Sequence, residues 1–176
     1  MSLPLAWGAT PDESARSYPA DVLVDRPLLL TRAVAVAAPA ELTWRWLCQV
    51  AVAPYSYDWI DHRGRRSPRT LTPGADRLEV GQSMATVFTL TSYDAPHQWT
   101  ALTDARGQRL FGTCAMTYAA EPAGPHSRIV CRIAAAAGGP LARARAQGLA
   151  WGDLVMMRKQ LHTLRDLAER DAARSP

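Results

Sequence analysis

Between residues 84 and 136 the chain alternates between apolar and polar positions in four separate runs. In "MATVFTLTSY" (84–93), Met84, Thr86, Phe88 and Leu90 fall on one side. "QWTALT" (98–103) places Trp99 with Ala101, and "FGTCAMTYAA" (111–120) places Cys114 with Met116 and Tyr118. "SRIVCRIAAA" (127–136) sets Ile129, Cys131 and Ile133 against Arg128, Val130 and Arg132. A period of two is the period of a strand, so the pattern predicts four antiparallel strands with one face buried and one face wet. "DAPH", "DARGQ" and "EPAGPH" read as the turns between them.

Ahead of these runs, "LLLTRAVAVAA" (28–38) is apolar and β-branched enough for a strand. "APAELTWRWLCQV" follows, with Pro39 at a helix start and Leu42, Trp46 and Val50 recurring at a helical step. Pro54 ends that helix, and "YSYDWIDH" (55–62) predicts a second short one, closed by Gly64. Residues 64–83 are rich in Pro and Gly and read as loop. After "GGP" (138–140), residues 141–148 read as a loose helical turn. The segment from Leu149 to Asp171 is the clearest helix, with Leu154, Met157, Leu161, Leu164 and Ala168 on one stripe. Arg165 with Glu169, and Asp166 with Arg170, are spaced as i, i+4 pairs.

A meander with one apolar face has to cover that face. A terminal helix of about 33 Å, at 1.5 Å per residue, is long enough to do so. The expected fold is α+β: a curved antiparallel sheet wrapped around a long C-terminal helix, with two short helices after the first strand. One straight helix leaves a curved sheet incompletely filled, so a cavity between them is expected, and such cavities are where small ligands bind. Residues 1–28 lack periodicity and are expected to be an N-terminal arm packed on the domain through Trp7, Tyr18 and Val22–Val24. Residues 29–172 then form the domain, and 173–176 a disordered tail.

Composition narrows the picture. At 176 residues, one domain is the simplest reading. With 48% apolar and 20% charged residues, the chain is an ordinary globular protein. No apolar run approaches the ~18 residues of a membrane span. The first residues lack a basic start followed by an apolar core, so a cytoplasmic location is expected. Cys48, Cys114 and Cys131 lie far apart and read as buried free thiols, not as a metal site or disulfide framework. No metal or cofactor is expected. The net charge is +4, with Lys159 the only lysine and the arginines scattered except in "HRGRRSPR" (62–69). Such scatter argues against nucleic-acid binding. The arginine loop is either solvated surface or an anion contact at a pocket mouth.

The order of elements resembles the START-like helix-grip superfamily (SRPBCC), which includes polyketide cyclase/dehydrase and lipid-transport relatives. The similarity rests on "TRAVAVAAPAELTWRWL" (31–47), "YSYDWID" (55–61), "RLEVGQ" (77–82) and "MMRKQLHTLRDLAER" (156–170). The resemblance implies the fold over most of residues 30–170 and a bacterial branch of the superfamily. It carries no shared catalytic motif, because this scaffold hosts carriers, receptors and enzymes alike.

The first expectation for function is therefore binding of a small, mainly apolar molecule, lipid- or polyketide-like, between sheet and helix. Its expected contacts on the sheet are Met84, Phe88, Trp99, Cys114, Met116, Tyr118 and Cys131, although these residues equally suit a plain core. Leu154, Met157 and Leu161 would face them from the helix, and Tyr55, Tyr57 and Trp59 would form a lid. The alternative is a cyclase- or dehydratase-type enzyme. In it Asp58 orients His62, His62 moves the proton and Tyr118 polarises a carbonyl. The plainer account of "YSYDWIDH" is that its aromatics pin a short helix while Asp58 caps it or pairs with an arginine. A third reading is an interaction or regulatory module using the arm and the arginine loop. Monomer and homodimer are both open.

Overall fold

The structure is a computed structural model and describes residues 3–56 and 66–174. Seven strands form one curved sheet: β1 (Ala6–Trp7), β2 (Pro27–Val36), β3 (Ser83–Met84), β4 (Phe88–Asp94), β5 (Gln98–Thr103), β6 (Cys114–Ala123) and β7 (His126–Ala136). Their order across the sheet is β1-β2-β7-β6-β5-β4-β3. All neighbours are antiparallel except β1, which lies parallel to β2. Among the described residues the helices are α1 (Pro11–Ala15), α2 (Ala40–Cys48), α3 (Ala105–Phe111) and α4 (Pro140–Ala172), with short 3-10 turns at Pro19–Val22 and Gln49–Ala51. This is the α+β helix-grip architecture.

The alternating positions do what their period requires. Leu90, Trp99, Met116, Tyr118, Ile129, Cys131 and Ile133 all point to the concave face, where α2 and α4 cover them. From α4, Leu161, Leu164 and Leu167 enter this core. Each fully buried leucine of this kind contributes about 1.5–3 kcal/mol. From α2, Trp46 is fully buried and meets Tyr55 edge-on at 6.1 Å. Trp99 stacks on Tyr118 with ring centroids 4.5 Å apart, and its indole N–H donates to the Leu47 carbonyl at 3.2 Å.

Several local expectations are corrected. The convex face of the sheet is not wet. The N-terminal residues run across it and bury Ala33, Ala115, Ala119, Val130 and Ala134 with Tyr18, Ala20 and Val24. Arg132, expected in solvent, is fully buried there. It donates to the carbonyls of Glu13, Ser14 and Arg16, and its guanidinium lies over the Tyr18 ring at 5.0 Å. Gly8 allows the arm to lie this close: its φ is +69°, and a Cβ there would sit 2.0 Å from the Ala33 carbonyl oxygen.

The segment 84–93 is not one strand. It breaks after Met84, where Ala85 and Thr86 take positive φ values of 43° and 71°. "DARGQ" is not a simple turn but the start of α3, capped by the Asp104 side chain accepting from the Gly107 N–H at 2.7 Å. Residues 141–148 are not a loose turn, because α4 already begins at Pro140. At 33 residues it is about 50 Å long. In place of the expected i, i+4 pairs, Arg165 pairs with Asp166 and Arg170 with Asp171, and Glu169 accepts from the Ala37 N–H. Tyr55 does not open a helix, since its φ is +55°. The remainder of "YSYDWIDH" lies outside the described residues.

Candidate functional site

The two halves of α4 differ in bulk, and that difference creates the site. Beyond Met157 the helix turns leucines into the sheet. Before it, only the small Ala146 and Ala150 are fully buried toward the sheet, while Gly148 and Gly152, on another side of the helix, line the open space beside them. An added Cβ at Gly148 or Gly152 would meet nothing within 4 Å. The first half of the helix therefore meets the sheet through small residues and leaves space beside them. The result is a cavity of about 920 Å³. Phe88, Cys114, Met116, Tyr118 and Ile133 form its sheet wall. Gly148, Gly152, Asp153, Met157 and Gln160 form its helix wall, and the broken stretch Ala85–Val87 closes one side. Arg106, Leu110 and Phe111 of α3 reach its mouth, together with Val155 and Arg145. Arg145 ties the two helices together there by donating to the carbonyls of Arg109 and Leu110.

The polar groups on this wall are few and mostly occupied. The Tyr118 hydroxyl donates to Gln160 Oε1 and lies 3.3 Å from the Met157 sulfur. The Gln160 amide in turn donates to the Pro54 carbonyl. Burial pushes the Tyr118 phenol well above its ordinary range. Its hydroxyl is thus a fixed part of the wall.

Asp153 differs. Its Oδ2 accepts from Arg32 Nε at 3.2 Å. Arg32 is fully buried and donates from its other two nitrogens to the carbonyls of Leu5, Thr31 and Ala150. Among the described residues Asp153 makes no other hydrogen bond, and Asp153 lines the cavity. Burial raises its pKa from 3.8 to about 6, against the opposing pull of Arg32. The three cysteines are free and buried, and burial pushes the Cys114 thiol up to about 12. No cluster of metal-ligating side chains occurs among the described residues.

The residues singled out from the sequence divide three ways. Phe88, Cys114, Met116, Tyr118 and Met157 line the cavity. Tyr55, Met84, Trp99, Cys131 and Leu161 are placed in close-packed core and Leu154 is only half-buried on α4; none of these six is a lining residue. Tyr57, Asp58, Trp59 and His62 lie outside the described residues. Asp153, Arg32 and Gln160 were missed. A charged residue on an apolar helix stripe and an arginine inside an apolar strand were the available signals, since each needs a buried partner.

A curved sheet gripping a long terminal helix is the helix-grip fold. Comparison with solved structures supports that fold. A protein from Thermobifida fusca aligns over 81% of this chain and 93% of its own, at TM-score 0.56 and 16% identity. A Nitrosospira multiformis protein aligns over 84% and 99%, at TM-score 0.52 and 11% identity. The di-domain ARO/CYC StfQ of the steffimycin biosynthetic pathway aligns over 84% of this chain and 52% of its own, at TM-score 0.51 and 15% identity. No protein family matches the sequence in a profile comparison, and no curated protein matches it. Among the described residues, no helix is long and apolar enough to cross a membrane.

Proposed function

We propose that this protein binds a small, mainly apolar molecule, lipid- or polyketide-like, in the cavity between the sheet and the first half of α4. The observation that carries this is the unfilled, mostly apolar space of about 920 Å³. Ligand pockets of roughly 300–1,000 Å³ lined by apolar side chains with a few placed polar groups are the common form of small-molecule site. Native mass spectrometry of the purified chain tests it. A non-covalent adduct is the expected result, one that is lost when Gly152→Leu fills the helix wall. A folded protein that carries no adduct and takes up no apolar probe would remove the proposal.

One observation favours a second reading, a cyclase- or dehydratase-type enzyme: a buried carboxyl faces the cavity and titrates near pH 6. Such a group can both accept and return a proton near neutrality. Tyr118, Asp58 and His62 remain candidate reagents in that reading. StfQ, an ARO/CYC, shares the fold.

A further inference from the structure

The Arg32–Asp153 pair spans β2 and α4 at the floor of the cavity and is unequal in its exposure. Arg32 presents no side-chain surface at all, whereas 12% of the Asp153 side chain remains open. Four of the five N–H bonds of Arg32 have acceptors, on Asp153, Leu5, Thr31 and Ala150. Asp153 has a single partner, on Oδ2. Among the described residues no donor therefore reaches the second oxygen, Oδ1, in a wall that is mostly apolar.

We propose that Asp153 Oδ1 is a specificity-determining acceptor for a neutral hydroxyl, phenolic or alcoholic, on the apolar ligand. This deepens the cavity-binding reading and rests on it. The donor must be neutral for a physical reason. The guanidinium 3.2 Å away already offsets the carboxylate charge, so an ammonium would shed its hydration against a pair of zero net charge. A hydroxyl sheds far less and satisfies the oxygen that an apolar ligand would leave bare. A carboxylate ligand is disfavoured at this point because it would shed its hydration without offering Oδ1 a donor. The neighbouring glycines, Gly148 and Gly152, leave room for the ligand body beside the acceptor.

The test is a fluorescence titration of the full chain with three probes of one shape: 2-naphthol, its methyl ether 2-methoxynaphthalene, and 2-naphthylmethylammonium. A hydrogen bond to a charged acceptor predicts that the naphthol binds about tenfold or more tightly than the ether and the ammonium. That preference shrinks in Asp153→Asn, whose amide is a neutral and weaker acceptor. Because this variant leaves Arg32 without its counter-charge, the Arg32→Met/Asp153→Leu double variant provides a second measurement. It replaces the pair with apolar side chains of similar volume. It should bind naphthol no better than the ether. Equal binding of naphthol and ether to the unaltered protein, an ammonium that matches the naphthol, or a preference that survives the double variant would overturn the role of Asp153 while leaving the cavity reading intact. Failure of all three probes to bind would overturn both.

Discussion

Gly148 and Gly152 face the cavity one turn apart on α4, and replacing them with alanine should move stability and binding in opposite directions. Neither has a positive φ, and an added Cβ meets no atom within 4 Å, so the folded backbone accepts the methyl group without strain. Each glycine in a helix interior costs about 0.5–1 kcal/mol relative to alanine. The double variant should therefore be more stable by about 1–2 kcal/mol. For a chain of this size that is a rise in Tm of about 2–8 °C. The same two methyl groups protrude into the space assigned to the ligand. Crowding an apolar site costs about 1–3 kcal/mol, so 2-naphthol affinity should fall about fivefold or more. Thermal melts and probe titrations on the single and double variants measure both quantities. A fall in Tm would show that the helix face is not open at these positions. A rise in Tm with unchanged affinity would show that ligands do not use this wall.

The remaining predictions concern charge. Asp153 has a folded pKa raised to about 6 from 3.8, so its ionised form opposes folding above pH 6, and the opposition is relieved as pH falls through 6 toward 3.8. The relief amounts to about 3 kcal/mol at 1.36 kcal/mol per unit. Urea unfolding of the protein and of Asp153→Asn at pH 7, 6, 5 and 4 isolates it, because only the former carries the titration. Parallel curves would refute it. Glu13 acts oppositely: burial raises its pKa, but bonds from Arg128 and Thr10 outweigh burial and lower it, and the stability it confers is lost in acid. On the convex face, Arg132→Met should release the arm, seen as faster proteolytic cleavage within residues 9–27 while the sheet stays folded. Unchanged cleavage would show that apolar packing alone holds the arm.

The aromatic segment 55–62 shows why local pattern misleads at sites. Tyr55 and Trp59 are spaced as helical neighbours, yet Tyr55 adopts a left-handed backbone and is buried against Trp46. Its N–H donates to the Ser67 hydroxyl, twelve residues away, at 3.2 Å. Nothing in the spacing encodes that partner. Similarly, the alternation in β7 correctly separates Ile129 and Cys131 from Arg132, but only the arm, more than a hundred residues earlier in sequence, turns the second face from wet to buried.

The strands, the terminal helix and the concave core follow from periods of two and 3.6, which report which side chains share a face regardless of what lies opposite. Whether a face is then filled depends on the volume facing it across the fold. Gly148 and Gly152 border a void only because no side chain from the rest of the fold reaches across to them, and Asp153 becomes a paired cavity group only because Arg32 of a distant strand meets it there. Periodicity is a local property of the chain, whereas space and charge pairing belong to pairs of distant segments and exist only once those segments have packed.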